Sequence, residues 1–298
     1  MSHAHDHSGE VSGGRLLVTM LLNFVITIAE IVGGLVSGSL SLISDALHNF
    51  SDGVSVIISY LAIRLRERAK SERHTFGLKR AEILAAIINA SVLLVISVYL
   101  FYEAGRRLMH PEPIRGGLMI GVALIGLAAN VVGTLLLQRD AARSLNIRSA
   151  YLHLLSDAVS SVGVVLGGVA IYFWRIYWVD PVLTILIGLY VLKESFAILT
   201  QAIHILMEGA PPDLDLNAIQ TAVEAVPGVE DLHHLHVWTV GENDVHLEAH
   251  VNIRDMRISE ADALRRSLES LLHDTFGIAH TTIQFECGQC LEVGLIRG

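Results

Sequence analysis

Residues 40–63 read LSLISDALHNFSDGVSVIISYLAI, an apolar stretch of helical length that holds three ionisable side chains. A helix of about 20 mostly apolar residues crosses the hydrocarbon core of a bilayer. Five more such stretches occur, at 16–36, 82–104, 117–137, 150–174 and 179–206. With 52% hydrophobic residues among 298, the chain is too apolar for an ordinary soluble fold. We therefore predict an α-helical membrane protein with six transmembrane helices, embedded in lipid.

The distribution of Lys and Arg predicts the orientation of these spans. The N-terminal segment and the loops after the second and fourth spans hold eleven Lys and Arg, against four on the opposite side. Positive residues gather on the cytoplasmic side of membrane proteins, so we expect both termini in the cytoplasm. The first residues, MSHAHDHSGEVSGG, are unlike a cleaved signal peptide. This start and the short chain favour a bacterial inner membrane.

The hydropathy falls after Pro211 and Pro212, where a small domain of mixed structure is expected. Its predicted elements are helix 214–226, strand 230–240, strand 244–254, helix 258–275 and strand 279–287. An αββαβ order indicates a compact two-layer α+β domain. Residues 208–298 carry sixteen Asp and Glu against five Arg. This acidity excludes nucleic acid as a partner and favours cations, although an ordinary solvated surface is the alternative.

Ionisable side chains form a stripe in two of the predicted spans. At about 100° per residue, Asp45, His48 and Asp52 fall within about 60° of one helix face. The fifth span repeats the pattern with His153 and Asp157, again four residues apart. Each Asp at a helix centre costs about 2.5–3.5 kcal/mol on insertion scales, so both spans need compensating partners.

The two HxxxD pairs together suit one divalent cation. The two imidazoles and two carboxylates make a tetrahedral set typical of zinc, with cadmium or cobalt as substitutes. The proposed ligands are His48, Asp52, His153 and Asp157. Protons compete with metal for neutral imidazole and ionised carboxylate, which predicts exchange of zinc for protons. The alternative is two buried, hydrogen-bonded structural pairs.

Asp45 precedes His48 by three residues on the same face. We interpret it as an auxiliary group that transfers protons or admits the ion. A hydrogen-bonded residue near the helix start is the alternative interpretation.

Histidines are dense in the C-terminal domain, which holds seven of the fifteen. In the second predicted strand, His246, Glu248 and His250 share one face, and in the last strand His280 and Glu286 share one. Two polar faces of this kind favour a second metal site, with a solvated sheet face as the alternative. Its predicted ligands are His233, His250, His280 and Glu286.

Cys287 and Cys290 are the two cysteines, so a disulfide framework is not expected. Their CxxC spacing can present two thiolates to one ion. A further zinc site formed with His3, His5 and His7 is one interpretation. A chance pairing of two tail cysteines is the other.

Six segments resemble the cation diffusion facilitator family of zinc transporters in order and spacing. They are SLISDALHNFSDG, HTFGLKRAEILAA, YLHLLSDAVSSVG, LMEGAPPD, HHLHVW and HTTIQFE. The resemblance implies a homodimer, a ferredoxin-like tail and antiport of metal ions and protons. The matching motifs imply the same ligands as those derived above, both for the transport site between the second and fifth spans and for the site in the C-terminal domain. The resemblance also implies zinc both as substrate and as a structural or regulatory ligand of the tail.

The resemblance divides the chain into a His-containing cytosolic N-terminus at 1–15, a transmembrane domain at 16–207 and a metal-binding dimerisation domain at 208–298. Arg80 and Glu208 stand where the family has a charge interlock near the membrane, so we expect this pair to act as a hinge. Some relatives have a further metal site in the loop between spans two and three. Of its ligands only His74 is present, and we predict no such site.

Other classes of protein fit the sequence less well. An intramembrane metalloenzyme needs an open coordination position and a base, whereas HExxH is missing and the four-ligand set is closed. We therefore expect no enzymatic activity. A membrane-anchored metal sensor or store would not explain the paired motifs in two spans. A channel is distinguished from an antiporter by flux that is independent of protons.

Overall fold

The computed structural model describes residues 10–66, 72–138, 145–241, 244–288 and 295. Each predicted span lies within or overlaps one helix of the N-terminal two thirds of the chain. The helices are α1 (Glu10–Ser37), α2 (Leu40–Arg66), α3 (Ala81–Met109), α4 (Gly116–Leu137), α5 (Leu145–Trp174) and α6 (Val179–Leu206). The expected helical transmembrane architecture is confirmed.

Four of these helices, α3 to α6, are long and apolar enough to cross a membrane on their described residues, and α1 adds a shorter apolar stretch, Phe24–Ser37. Large apolar side chains remain exposed along them, as at Val95, Leu166 and Phe196. Apolar surface of this extent would be unfavourable in water and suits contact with lipid tails. The chain is therefore a multi-pass membrane protein.

Glycines allow close packing between α4 and α5. A Cβ at Gly116 would lie 2.9 Å from the backbone nitrogen of Tyr172, and one at Gly168 would lie 2.8 Å from Ile120 Cγ1. Small residues let membrane helices approach closely enough for dispersion contacts to hold them together. The buried core beside this seam includes Met119.

The C-terminal domain has the predicted αββαβ order. Its elements are α7 (Leu216–Glu224), β1 (Val229–Thr239), β2 (Val245–Ile253), α8 (Ile258–Phe276) and β3 (His280–Glu286). The sheet order is β1-β2-β3, with β1 antiparallel and β3 parallel to β2. The ferredoxin-like fold class is confirmed, and every element end lies within two residues of its predicted position.

Alternation along β2 gives this sheet one apolar and one polar face. Leu247, Ala249 and Val251 are buried in a core that also contains Leu268 and Leu272 of α8. Side chains in a strand alternate between faces, so the histidines of β2 lie on the side away from this core. The polar face is thus available for ligands.

A β-bulge interrupts β1 within its histidine cluster. His233 pairs with His250 and His236 with Glu248, so β1 has one residue more than β2 in this interval. The extra residue allows His234 to adopt a positive φ of 51°. The side chains of β1 therefore do not alternate regularly between the two faces of the sheet from His233 to His236.

Thr200–Gly298 forms one compact unit together with Tyr60–Ile87, and the other helical segments form a second. The loop between α2 and α3 thus belongs to the same unit as the C-terminal sheet.

Candidate metal centres

Three of the four predicted transport ligands converge inside the helical domain. His48 of α2 and His153 and Asp157 of α5 form a group, here called the membrane cluster, whose ligand atoms all lie within 4.8 Å of one another. His48 Nε2 is 3.5 Å from Asp157 Oδ1, and His153 Nε2 is 3.6 Å from Asp157 Oδ2. Ligand atoms around a tetrahedral zinc ion, at about 2.0–2.2 Å from it, lie about 3.3–3.6 Å apart. The spacing therefore suits one zinc ion.

Asp157 has an unusual environment for a carboxylate. Its side chain is 2% exposed, and neither oxygen has a hydrogen-bond partner in the described part of the chain. A buried carboxylate without donors carries a large desolvation penalty. A cation placed between Asp157 and the two imidazoles would compensate for it.

Asp52 follows His48 by one helical turn, as the sequence requires, and lies in the described backbone of α2. Its side chain lies outside the described residues. The structure therefore brings together three members of the predicted set of four. Tyr190 of α6 also contacts His48, with its ring centroid 5.3 Å from the imidazole centroid.

Asp45 is buried and joined to α5. It accepts hydrogen bonds from Ser160 Oγ at 2.6 Å and Ser161 Oγ at 3.2 Å. Hydroxyl donors of this kind stabilise a carboxylate inside an apolar domain. These partners were not foreseen, because the sequence shows the faces of single helices but not which faces meet.

Glu30 of α1 is a further buried carboxylate in this region. It is 0% exposed, and its Oε2 accepts a hydrogen bond from Asn49 Nδ2 at 3.2 Å. Asn49 directly follows His48 on α2. Sequence reasoning ranks Glu30 below the HxxxD motifs because it is a lone acidic residue without a repeat.

A second group, the sheet cluster, consists of His233 of β1, His250 of β2 and Glu286 of β3. Glu286 bridges the two histidines, with Oε1 2.8 Å from His250 Nδ1 and Oε2 3.3 Å from His233 Nε2. All three side chains lie on the polar face of the sheet. Two nitrogens and one carboxylate are donors that zinc accepts, so this group fits a bound zinc ion.

Asp231 orients His233 from the side opposite Glu286. Asp231 Oδ2 lies 2.7 Å from His233 Nδ1, and its Oδ1 accepts a hydrogen bond from Asn252 Nδ2 at 2.8 Å. A carboxylate on the far nitrogen fixes the imidazole tautomer and directs Nε2 towards the ligand position. Sequence reasoning missed both residues: Asp231 stands two residues before His233 in β1, and strand pairing places Asn252 of β2 opposite Asp231.

His280 is not brought to the sheet cluster. The parallel register pairs it with His246, and their ring centroids are 4.9 Å apart. His250 lies four residues further along β2, a separation of about 13 Å in an extended strand. The expected set of four is therefore a set of three in the structure, because register rather than a shared face decides which side chains meet.

Cys287 is exposed. Cys290 and the three N-terminal histidines, His3, His5 and His7, lie outside the described residues.

Lys79 and Arg80, in the described part of the loop between α2 and α3, each form an ion pair. Arg80 Nη2 is 3.1 Å from Glu208 Oε1, which is the pairing expected from the sequence. Lys79 Nζ is 3.0 Å from Asp244 Oδ2, a less exposed pair that the sequence did not indicate. His74 is exposed and lines a cavity of 740 Å³, and it joins no metal-binding group among the residues described.

Two family models match the chain. "Cation efflux transmembrane domain" matches residues 16–207, and "Cation efflux protein, cytoplasmic domain" matches residues 211–287. The "Cadmium, cobalt and zinc/H(+)-K(+) antiporter" of Bacillus velezensis is 37% identical over 289 residues, covering 96% of this chain and 92% of that protein.

Two further relatives are similar over nearly the whole chain. The "Metal cation efflux system protein CzcD" of Cupriavidus metallidurans is 38% identical, covering 97% of this chain and 90% of its own. The "Zinc transporter ZitB" of Pectobacterium atrosepticum is 36% identical, and the match again covers 97% of this chain and 90% of that protein. Together with the helical domain and its buried His and Asp groups, these matches show that the chain belongs to the cation efflux family of membrane transporters.

Proposed function

We propose that this protein exports Zn²⁺ from the cytoplasm in exchange for protons, with Cd²⁺ and Co²⁺ as further substrates. The observation that carries the proposal is the membrane cluster, in which a buried Asp157 lies between two imidazoles and accepts no hydrogen bond from the described side chains. The relatives in Bacillus velezensis and Pectobacterium atrosepticum are, by name, an antiporter of cadmium, cobalt and zinc and a zinc transporter. Asp52 supplies the fourth ligand and, with Asp157, offsets the double charge of the ion.

Proton exchange follows from the chemistry of these donors. An imidazole that releases zinc can accept a proton and then pairs with Asp157, which lies within 3.6 Å of both rings. Zinc binding reverses this, because the metal needs neutral imidazole and ionised carboxylate. We assign Asp45 the role of an auxiliary proton-transfer group, since it lies one turn before His48 and contacts α5 through two hydroxyls.

The sheet cluster has a different proposed role, as a resident zinc site that supports a homodimer. His233, His250 and Glu286 occupy three positions of a tetrahedral set, and we assign the fourth to water or to a second protomer. Bound cations would reduce repulsion between acidic domains that face each other. Cys287 and Cys290 remain a candidate for an additional site.

We propose that the protein lies in a bacterial inner membrane with both termini in the cytoplasm. The division into segments 1–15, 16–207 and 208–298 belongs to the same proposal. Arg80 and Glu208 then lie near the cytoplasmic membrane surface, where a hinge between the two larger domains is expected.

Zinc flux into proteoliposomes that contain a pH-sensitive dye tests the transport proposal. We expect His153→Ala and Asp157→Ala each to abolish both zinc uptake and the opposing proton movement. His204→Ala is a matched control, because His204 also lies on a membrane helix, and its hydrogen bond among the described residues is local, with Nε2 2.8 Å from the Ala210 carbonyl oxygen. Normal transport by the two cluster variants would refute the assignment, and zinc flux without proton movement would favour a channel.

A further inference from the structure

Asp180, in the first turn of α6, holds the beginning of α2. Its side chain is 0% exposed. The hydroxyls of Ser39 and Ser41 each donate to Asp180 Oδ1 at 2.6 Å. The backbone N–H of Leu40 donates to Oδ2 at 2.9 Å, and that of Ser41 donates to Oδ1 at 3.2 Å. All four donors belong to three consecutive residues, although Asp180 is some 140 positions away in sequence.

This arrangement adds a cap from another helix to a local one, in which Ser39 Oγ accepts a hydrogen bond from the backbone N–H of Leu42 at 3.2 Å. The first N–H groups of a helix have no partner within it, and a carboxylate that accepts them also interacts favourably with the positive end of the helix dipole. At α2 the capping carboxylate is supplied by α6. The start of α2 is therefore fixed relative to the start of α6.

The turn before α2 also accepts hydrogen bonds from α3 and from the residue just before α4. Gly38 has a positive φ of 78° and joins α1 to α2. Its carbonyl oxygen accepts a hydrogen bond of 2.5 Å from Arg107 Nη1 of α3. The Ser37 carbonyl accepts one from the backbone N–H of Arg115, just before α4, at 3.0 Å. Such a turn leaves α2 little freedom to shift along its axis or rotate about it.

The contact between α2 and α6 continues as far as the membrane cluster. Leu40 belongs to a buried group of side chains against which Leu47 of α2 and Ile185 of α6 also pack. Beyond it, the rings of His48 and Tyr190 are in edge contact at an 83° angle. Helix α6 therefore touches α2 at its first turn and again at the predicted metal ligand, yet it contributes none of the predicted ligands.

We propose that Asp180 is a positioning residue for transport, which fixes the start of α2 and through it the place of His48 beside Asp157. His48 lies eight residues after Leu40, or about 12 Å along a rigid helix, so a shift at the first turn reaches the imidazole undiminished. The membrane cluster tolerates little displacement, since zinc ligand atoms must lie at about 2.0–2.2 Å from the ion. The inference rests on the proposed transport of zinc at this cluster.

The test measures zinc transport by proteoliposomes as KM and maximal rate, for Asp180→Asn and for the double variant Ser39→Ala with Ser41→Ala. An amide has one acceptor oxygen and turns an N–H group towards the donors, so Asp180→Asn should raise KM about tenfold while the rate per folded molecule stays nearly the same. The double variant keeps the two backbone bonds and should raise KM about threefold. The preference for zinc over cadmium should fall in both.

Thr184→Val is the matched control. Thr184 is buried in the same helix, and its hydroxyl donates to the Asp180 carbonyl oxygen within α6, at 2.8 Å. Its KM and metal preference should equal those of the wild-type protein. A merely structural role predicts fewer folded molecules and a lower maximal rate at unchanged KM.

The inference is overturned if Asp180→Asn and the double serine variant keep the wild-type KM and metal preference. If Asp180→Asn does not assemble, the double serine variant decides the question alone. Failure of the proposed function has a different signature. In that case the wild-type protein moves no zinc, or His48→Ala transports zinc with the wild-type KM.

Discussion

At the scale of single residues, His233 shows how one side chain depends on two carboxylates. Glu286 approaches its Nε2 at 3.3 Å, and Asp231 approaches its Nδ1 at 2.7 Å. Glu286 is therefore placed to share a metal ion with His233, whereas Asp231 is placed to orient the ring. Removal of either carboxylate should weaken zinc binding, but for different reasons.

Asp231→Ala should weaken zinc binding by the sheet cluster about 10- to 100-fold, the usual effect of losing the partner of a ligating histidine. Zinc titration of the purified protein against a competing chelator measures this, in a background with His153→Ala and Asp157→Ala to silence the membrane cluster. Asp255→Ala, which removes an exposed carboxylate from the same domain, is the control. Equal zinc affinity in the Asp231 and Asp255 variants would contradict the orienting role.

The sequence predicted most of the residues in the candidate metal sites, but it did not predict the side chains that form hydrogen bonds with them. The HxxxD spacing identifies His48, His153 and Asp157 because four residues make about one helical turn. Asp231 gives no such signal: it lies two residues before His233 in β1, no repeat marks it, and only strand pairing brings its own partner Asn252 opposite it. The position of His280 opposite His246 could not be foreseen, because the alternation of polar and apolar residues does not determine strand register.

At the scale of elements, hydropathy predicts where helices lie but not how closely they pack. The contact of α4 with α5 at Gly116 is an example, because a Cβ there would meet the Tyr172 backbone nitrogen at 2.9 Å and its Cα at 3.0 Å. Backbone cannot move aside as a flexible side chain can. The same helix offers a contrast at Gly121, where no described atom lies within 4 Å of the Cβ position.

Gly116→Ala should therefore destabilise the protein by about 1–3 kcal/mol through forced separation of α4 and α5. Gly121→Ala should be neutral or stabilising by up to about 1 kcal/mol, because alanine favours the helix and meets no obstacle. Thermal unfolding in one detergent compares the two variants directly. Equal melting temperatures for both would mean that the close approach at Gly116 contributes nothing to stability.

At the scale of the whole molecule, the order of helices and strands was predictable from the sequence, whereas most ion pairs between distant segments were not. Six apolar stretches and an αββαβ pattern sufficed for the architecture, because burial and strand alternation leave periodic signals. The ion pair of Lys79 and Asp244 joins the loop after α2 to the C-terminal domain, and its two residues are more than 160 apart in the sequence. No periodic pattern in the sequence predicts this pair. Only Arg80 and Glu208 were anticipated, from their place in a resembling motif.

Exchange of the charges of Arg80 and Glu208 tests whether their pair works as a hinge. Their side chains are 38% and 63% exposed, so the pair should contribute less than about 1 kcal/mol to stability. If it instead holds the loop and the C-terminal domain together during transport, Arg80→Glu and Glu208→Arg should each reduce zinc flux far more than they reduce the melting temperature. The double variant, with the charges exchanged, should recover most of the flux because the attraction is restored.

The pair Arg254 and Glu230 provides a control, since it is also exposed to solvent, with 3.7 Å between Arg254 Nε and Glu230 Oε1, and lies within the C-terminal domain alone. Its charge exchange should leave flux unchanged. The hinge role is contradicted if zinc flux and melting temperature fall together in the Arg80 and Glu208 variants and the double variant does not recover. The pair would then be an ordinary surface contact. If the single variants lose zinc flux and the double variant recovers it, while all three melt at similar temperatures, a conformational step of transport involves this loop. A change in stability could not account for that pattern.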